Sequence, residues 1–319
     1  MNKASSWLIG AITFGFTLLV PCGAAANPVV RGDYPDPGIA RVGKQFWLAT
    51  SERYRGSKGV FPLFRSSNLY NWKRAGSAFR KPPRGTNGSY WAPEYFRYGK
   101  RTYMYYTARY RDKLCIASSE VTRPYGYRDR GVLFCHNRGA IDPFVIRSSG
   151  GKVWLVWKSQ RNSKMDPSRI WMQRVSINRN SVLGRRIKVM TASPRGWESG
   201  VIEAPSLFRR GGYWYMVYSG SDCCGVNCSY GVGAARSRHL TRGWERYPGN
   251  PILRGDGPWK CPGHGSRMAV GGEDYYVYHA YNSTFRKRSL LLDRIRWVNG
   301  WPTIGNGFPA RSAPRPLVG

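Results

Sequence analysis

Five segments of this 319-residue chain share one pattern, and their repetition constrains the fold more than any other feature. Each has a polar or aromatic first residue, an apolar stretch, a Gly-containing turn and an aromatic strand. Their first residues are Asp36, Trp91, Asp142, Glu203 and His264, separated by 55, 51, 61 and 61 residues. Apolar runs rich in Tyr, Trp and Val and bounded by Gly are typical of strand–turn–strand units, and four short strands need about 50 residues. The repeat therefore predicts an all-β fold, a five-bladed β-propeller.

Composition agrees with an all-β chain. The sequence contains 38 Gly and 21 Pro, which argue against a helical bundle because both residues break helices. Hydrophobic residues make up 41% of the chain, enough for a core and too many for wholesale disorder. All-β architectures of this length are often one domain, so we expect residues 27–319 to form a single propeller domain.

The repeat also predicts a functional site. Each segment starts seven or eight residues before its turn glycine, at Gly43, Gly99, Gly150, Gly211 and Gly271. At about 3.3 Å per strand residue, these offsets place the five starts at one height, where the innermost strands begin. Because innermost strands line the central channel, the sequence predicts that three carboxylates, a Trp and a His converge at one mouth of the channel.

Three acids at equivalent positions indicate chemistry. A single Asp-Pro is more often a turn starter, but the whole chain has only 17 Asp and Glu, which makes three turn caps in register a weak explanation. Clustered carboxylates in such a fold suggest either calcium binding or acid/base hydrolysis of a glycosidic bond. In the second case one acid is kept protonated, another is ionised, and the third raises the pKa of the acid.

The motifs NPVVRGDYPDPGIARVG, YWAPE, GAIDPFV, VIEAPSL and PGHGS, in this order, resemble glycoside hydrolase family 43. The segments SYGVGAARSRHLTRGWERYPGNPIL and RSLLLDRIRWVNGWP resemble the last two blades of that family. The resemblance covers nearly the whole chain after the N-terminal segment. It implies a five-bladed propeller that acts on α-L-arabinofuranosyl or β-D-xylosyl linkages. A sister propeller family that cleaves fructosides would show NDPNG, RDP and EC motifs, where this chain has PDPG, IDP and EAP.

The resemblance also implies roles for the three acids. Asp36 would be the general base that activates water, Glu203 the general acid, and Asp142 the residue that raises the pKa of Glu203 and orients it. The family inverts configuration, which places base and acid about 6.5–9.5 Å apart. The chain departs from the family pattern at Ala204, where many members have Gly. This methyl group puts the shape of a sugar subsite in doubt, not the catalytic roles.

Three further residues carry weaker expectations. His264 would help to hold a structural Ca²⁺ in the channel, largely through waters; the alternative is a satisfied turn or core histidine. Trp91 would be a wall for a sugar ring or a packed inner-strand residue. Arg288 matches a family position that contacts the substrate or the carboxylates, and a solvated surface arginine is the alternative. We expect no cofactor to be needed for the chemistry itself.

The N-terminal segment predicts export. Residues 1–26 combine Lys3, an apolar run from Trp7 to Val20 and small residues at Ala24 to Ala26, which is typical of a signal peptide. The run is shorter than the about 20 residues of a membrane span. We therefore expect a secreted or periplasmic protein without a membrane span once the signal is removed.

Export in turn suggests disulfides. Six cysteines lie beyond residue 26: Cys115, Cys135, Cys223, Cys224, Cys228 and Cys261. We expect Cys115 to pair with Cys135 across a turn-rich segment, and the sequence leaves the pairing of the other four open. A zinc site is the rival interpretation, but adjacent cysteines at 223 and 224 do not supply the usual C-x₂-C geometry.

The net charge of the chain indicates which kinds of binding partner to expect. The chain has 51 Lys and Arg against 17 Asp and Glu, a net charge of +34 that becomes +33 when Lys3 leaves with the signal. Basic residues are spread over every blade and no nucleic-acid recognition motif is present, so specific nucleic-acid binding is not expected. We expect a monomer whose partner is a polysaccharide or oligosaccharide, with acidic polymers among the candidates. A non-catalytic, lectin-like propeller remains the alternative function.

Overall fold

The structure is a computed structural model that describes residues 25–51, 59–123, 126–160, 162–284 and 286–318. Most of the predicted signal peptide, residues 1–24, therefore lies outside the described residues. Five antiparallel sheets follow one another along the chain, and within each sheet neighbouring strands pair in chain order. The predicted five-bladed β-propeller is confirmed.

Each blade contributes four consecutive strands. Blade I contains β2 (Gly38–Val42), β3 (Gln45–Ala49), β4 (Val60–Ser66) and β5 (Lys73–Phe79). Blade II contains β6 (Trp91–Tyr98), β7 (Arg101–Tyr110), β8 (Lys113–Arg123) and β9 (Gly126–Cys135). Blade III contains β10 (Ala140–Arg147), β11 (Val153–Ser159), β12 (Arg169–Ser176) and β13 (Ser181–Thr191), followed by a short 3₁₀ helix, Gly196–Glu198.

The last two blades complete the ring. Blade IV contains β14 (Ile202–Arg210), β15 (Tyr213–Gly220), β16 (Gly231–Ser237) and β17 (Glu245–Arg246), and β18 (Leu253–Arg254) also pairs with β16. Blade V contains β19 (Trp259–Val270), β20 (Glu273–Asn282), β21 (Arg288–Val298) and β22 (Trp301–Ile304). The first strands of neighbouring blades contact one another around the ring, which makes them the innermost strands.

The core is divided among the blade interfaces. One buried cluster lies between each pair of neighbouring sheets; Leu63 packs with Tyr106 between blades I and II, and Met172 packs with Met216 between blades III and IV. Side chains on successive strand residues point to opposite faces, so each sheet buries apolar residues against both neighbours. This explains why the strands read as nearly continuous apolar runs with many aromatic residues.

The first and last strands among the described residues close the ring between blades V and I. Strand β1 (Ala25–Ala26) pairs with β23 (Ser312–Ala313). The buried side-chain amide of Asn27 donates to the carbonyl oxygens of Leu292 and Ala310, at 3.2 and 2.9 Å, and accepts the Leu292 N–H at 3.1 Å. These bonds hold the segment that leads to Asp36 against the outer part of blade V.

In four blades the predicted turn glycine has a left-handed backbone. Gly43, Gly99, Gly211 and Gly271 have φ values of 61°, 60°, 53° and 58°, the left-handed region that glycine enters at little cost. In blade III the left-handed turn glycine is Gly151, with φ 78°. Here the Ser148 N–H donates to the Lys152 carbonyl oxygen at 2.8 Å and encloses three residues, one more than the paired strand ends enclose in the other blades.

Three disulfides join the six cysteines. Cys115 and Cys135 face each other on β8 and β9 and are bonded, as the sequence predicted. The other pairs, which the sequence left open, are Cys223–Cys224 and Cys228–Cys261. The Cys228–Cys261 bond ties the loop between β15 and β16 to the innermost strand of blade V.

Intact mass spectrometry under denaturing, non-reducing conditions should therefore show six fewer hydrogens than the fully reduced chain beyond residue 26. Peptide mapping should recover Cys115–Cys135 and a linkage between the Cys223–Cys228 loop and Cys261. The reduced and alkylated protein is the control. Six alkylatable thiols in protein isolated from its own compartment would contradict the bridges.

No helix among the described residues has the length and apolar character needed to cross a membrane.

Candidate active site

One backbone feature marks the same position in all five blades. In each blade a non-glycine residue within or just before the innermost strand has a left-handed backbone: Asp36, Ala92, Asp142, Ala204 and His264, with φ values of 57°, 50°, 54°, 51° and 40°. Blade V has a second such residue, Cys261, with φ 51°. Such conformations are costly outside glycine and persist where surrounding contacts fix them. These positions therefore form a ring at one mouth of the channel.

Hydrogen bonds between blades fix this ring. The N–H of each residue donates to a side chain of the preceding blade: Ala92 to Ser51 at 2.6 Å, Asp142 to Thr107 at 3.2 Å, His264 to Ser219 at 2.8 Å and Asp36 to His279 Nδ1 at 3.0 Å. In blade IV the acceptor is different, because the Ala204 N–H donates to Asp142 Oδ2 at 3.0 Å. This bond turns the Asp142 carboxyl toward blade IV, where Glu203 lies.

The ring also corrects the predicted register. Trp91 and Glu203 were expected at the same position as Asp36, Asp142 and His264, but they lie one residue earlier. Trp91 pairs with Thr107 and Glu203 with Ser219, each on the second strand of its own blade. Both residues still lie at the channel mouth, next to left-handed Ala92 and Ala204.

Asp36 is surrounded by positive or potentially positive groups. Its Oδ1 lies 3.3 Å from Nδ1 of His264 and 3.4 Å from Nδ1 of His279. Burial opposes ionisation, but the charges of His264 and Arg288 and the Ser51 hydroxyl outweigh it and keep the pKa of Asp36 below its ordinary value. Asp36 is therefore an ionised carboxylate, which suits a general base.

Glu203 accepts a hydrogen bond on each carboxyl oxygen. The Tyr230 hydroxyl donates to Oε1 at 2.7 Å, and the Lys158 ammonium donates to Oε2 at 2.5 Å. Burial alone would raise its pKa; Lys158, Tyr230 and His264 more than offset burial, so the pKa of Glu203 lies below its ordinary value. The resemblance implied that Asp142 raises the pKa of Glu203, whereas here Lys158 is the strongest charge acting on it.

Asp142 is the carboxyl that holds a proton most easily. It is buried, and burial, reinforced by the negative charges of Glu203 and Asp36, raises its pKa to about 6 despite His264 and Lys158. Asp142 and Glu203 interact strongly, so they take up protons as a pair. Because the pKa of Asp142 is raised and that of Glu203 is lowered, Asp142 is the member of the pair that takes up the first proton.

Four residues at the site escaped the sequence interpretation: Lys158, Tyr230, His279 and Glu94. Burial lowers the pKa of His279 to about 3, so it is a neutral imidazole whose Nδ1 accepts the Asp36 N–H. Glu94 accepts a hydrogen bond from the Ser266 hydroxyl inside the channel, and burial raises its pKa to about 7. Glu94 was detectable, because it follows the Ala92–Pro93 pair of the YWAPE motif.

His264 lies at the centre of this charge distribution. Burial lowers its pKa, but the carboxyl groups of Asp36, Asp142, Glu203 and Glu94 outweigh burial and raise it above the ordinary value. The described residues contain no group of three or more His, Cys, Asp or Glu side chains that could hold a metal ion. A cation beside His264 would therefore take most of its ligands from water.

Trp91 and Arg288 complete the predicted set. Trp91 is half-buried at the start of β6. Nε of Arg288 lies 3.5 Å from Asp33 Oδ1, and its guanidinium lies 5.8 Å from the ring centroid of Tyr281. Since Arg288 also lowers the pKa of Asp36, its charge acts on the site.

Known proteins with similar sequences and structures are glycoside hydrolases. The sequence model of one family, described as Glycosyl hydrolases family 43, matches residues 25–302. The extracellular endo-α-(1→5)-L-arabinanase 1 of Bacillus subtilis (strain 168) is 26% identical in an alignment of length 314 that covers 90% of this chain and 93% of that protein. The extracellular exo-α-(1→5)-L-arabinofuranosidase ArbA of Cellvibrio japonicus (strain Ueda107) is 24% identical in an alignment of length 322 that covers 90% of each chain. The crystal structure of a thermostable family-43 glycoside hydrolase superposes with a TM-score of 0.81 at 24% identity, covering 92% of this chain and all of that one.

Proposed function

Because the chain belongs to glycosyl hydrolases family 43, and is therefore a glycoside hydrolase, we propose that it cleaves α-L-arabinofuranosyl linkages with inversion of configuration. The family membership sets aside the non-catalytic, lectin-like alternative. The observation that carries the proposal is the placement of two carboxyl groups in different surroundings at one channel mouth. Asp36 lies 3.3 Å from Nδ1 of His264 and is ionised, while Glu203 lies next to Asp142, whose pKa is raised to about 6 and whose carboxyl accepts the Ala204 N–H.

The proposed reaction uses these two groups on opposite faces of the sugar. Asp36 accepts a proton from water, and the water oxygen forms a bond to the anomeric carbon. The bond from that carbon to the leaving oxygen breaks with its electron pair, and Glu203 gives its proton to this oxygen. Asp142 orients this half of the site through its bond to the Ala204 N–H and shares its proton with Glu203.

The other predicted residues support binding in this proposal. Trp91 would form a wall of the sugar site, and Arg288 would contact the substrate near Asp36. Ca²⁺ would be held in the channel by His264, largely through waters, with the Glu94 carboxyl as a further acid acting on that imidazole. When bound it would supply positive charge beneath the sugar.

The arabinosyl preference rests on the two relatives, whose names specify α-(1→5)-L-arabinan linkages and whose sequences align over 90% of this chain. Both relatives are named extracellular, which supports export of this chain with residues 1–26 as its signal. A β-D-xylosyl substrate is the second candidate, because the family resemblance includes xylosidases.

A release assay decides between these substrates. The purified protein should release nitrophenol from 4-nitrophenyl α-L-arabinofuranoside faster than from the β-D-xyloside, and arabinose or its oligomers from linear arabinan. Faster release from the xyloside would replace the arabinosyl proposal by the xylosyl one. No release from any of these substrates by folded protein would contradict the proposed function.

The charge adds a prediction about polymers. We propose that the net charge of +33 holds the enzyme on acidic polysaccharides such as pectic or glucuronoxylan chains. Attraction between exposed charges is screened beyond about 8–10 Å at physiological salt, while contacts in a closed site are screened little. Binding to these polymers should therefore fall steeply between low and moderate salt, and turnover of a neutral aryl arabinofuranoside should stay nearly constant. Salt-independent polymer binding would contradict the proposed role of the charge.

A further inference from the structure

Lys158 is a fully buried cation within the candidate site. It lies on β11 of blade III, where it follows five apolar residues, and its side chain is 0% exposed. A buried charge is costly unless it is paired and hydrogen-bonded. Lys158 Nζ is paired with Glu203 Oε2 at 2.5 Å, so the ammonium group and the carboxylate stabilise each other.

Tyr230 supplies the second restraint. Burial and the charges of Glu203 and Asp142 raise the pKa of Tyr230 well above its ordinary value, so it keeps its proton and donates to Glu203 Oε1. Tyr230 lies just before β16, at the end of the loop that the Cys228–Cys261 disulfide ties to blade V. The Glu203 carboxyl is thus held from blade III and from blade IV at the same time.

Four charged or titratable groups face Glu203 from the surrounding strands and loops. They are Lys158 on β11, Asp142 on β10, His264 on β19 and Tyr230 before β16. Lys158 is the largest of the influences that favour the carboxylate form, and it acts both by charge and by hydrogen bonding.

We propose that Lys158 is a positioning residue for Glu203 that fixes its carboxyl and stabilises the carboxylate left when its proton passes to the leaving oxygen. This inference rests on the proposed role of Glu203 as general acid. When the glycosidic bond breaks, the Glu203 O–H bond breaks and the new O–H bond forms on the leaving group. Negative charge then appears on Glu203 next to Lys158, which makes Glu203 a stronger acid in the transition state.

The Lys158–Glu203 ion pair also disfavours the protonated form of Glu203 that the reaction needs. The same ammonium group lowers the fraction of Glu203 that carries a proton at neutral pH. Asp142 and Glu203 take up their first shared proton near the Asp142 pKa of about 6. Turnover should therefore fall as the pH rises above this range. Replacing Lys158 by an uncharged residue should move this alkaline limb of the pH–activity profile to higher pH, because an opposite charge within about 4–6 Å shifts a carboxyl pKa by about 1–3 units. The same replacement should make Glu203 a weaker acid, and the resulting loss of rate should be largest for leaving groups that need a proton.

The test is the pH profile of kcat/KM for wild type and Lys158→Met on an arabino-oligosaccharide and on 4-nitrophenyl arabinofuranoside. We expect the alkaline limb to move up by about one unit or more. The plateau kcat should fall about tenfold or more on the oligosaccharide and much less on the nitrophenyl substrate, whose leaving group is acidic. Lys152→Met, an exposed lysine of the same blade, is the matched control and should leave both quantities unchanged.

The outcomes separate this inference from the proposed function. An unmoved limb in folded Lys158→Met, with Glu203→Gln inactive on the oligosaccharide, overturns the role of Lys158 alone. Activity of Glu203→Gln equal to wild type overturns the general-acid assignment instead. If Lys158→Met does not fold, as judged by circular dichroism, Tyr230→Phe removes the other restraint, and an unmoved limb in that variant counts against the inference. An upward shift in Tyr230→Phe, smaller because no charge is removed, supports it.

Discussion

Replacing Glu203 by glutamine is expected to lower kcat on arabino-oligosaccharides by about 10²–10⁴, the usual loss when a general acid is removed. Gln keeps the size of the side chain and an oxygen for Lys158 or Tyr230, but it has no proton to give to the leaving oxygen. Nitrophenolate leaves without protonation, so the loss on the nitrophenyl substrate should be much smaller. Steady-state rates on the two substrates, measured with the same enzyme preparation, give this difference directly.

The matched control for this change is Glu273→Gln. Glu273 lies at the start of β20, is exposed, and pairs with Arg294 at 3.7 Å on the surface. Its loss should leave both rates within about twofold of wild type, since surface ion pairs contribute little. Equal losses on the two substrates in Glu203→Gln would show that Glu203 does not donate the proton.

Replacing Asp36 by asparagine should abolish most activity on every substrate, with a fall in kcat of at least about 10²–10⁴. A neutral amide cannot accept the proton of the attacking water, and this requirement does not depend on the leaving group. The change also removes the charge that His264 and His279 face, so the pKa of His264 should fall toward its ordinary value. Rates on both substrates, together with the thermal midpoint of each protein, separate lost chemistry from lost folding.

Asp112→Asn is a close control, because the two aspartates share an unusual backbone. Asp112 is exposed in the turn between β7 and β8 and has φ 59°, against 57° for Asp36. Asn accepts the left-handed region almost as readily as Asp, so neither change strains the backbone. Activity of folded Asp36→Asn close to that of Asp112→Asn would contradict the role of Asp36 as the base.

The fold could be predicted from sequence because the same physical requirement recurs five times. Each blade needs an inner strand, a tight turn and an aromatic second strand, and the glycines at 43, 99, 211 and 271 mark the turns with left-handed φ. The position of the site followed from counting back from these turns. The one-residue error at Trp91 and Glu203 arose because offsets of seven and eight residues were treated as equal, whereas a count of seven from these four turn glycines reaches the left-handed residue each time. In the DPG, WAPE, DPF and EAPS motifs the Pro directly follows the left-handed residue, so aligning these Pro residues would have given the correct register.

Residues that complete the site from other strands were harder to predict. Lys158 lies within the apolar run VWLVWKS, and nothing local indicates that its ammonium group meets a carboxylate 45 residues further along the chain. His279 and Tyr230 likewise contact acids of a different strand, at sequence distances of 243 and 27 residues. Such contacts depend on how neighbouring blades approach each other. The disulfide between Cys115 and Cys135 was predictable because the two residues lie opposite each other in one hairpin.

The most direct test of the proposed mechanism is the configuration of the first sugar released, followed by ¹H NMR during the first minutes of hydrolysis of an α-L-arabinofuranosyl substrate by wild-type enzyme. A base at Asp36 that activates water opposite an acid at Glu203 gives a single displacement. We therefore expect the β anomer to appear first and the α anomer to grow in later by mutarotation. Initial release of the α anomer would require two displacements through a covalent intermediate and would contradict the assignment of Asp36 as a general base.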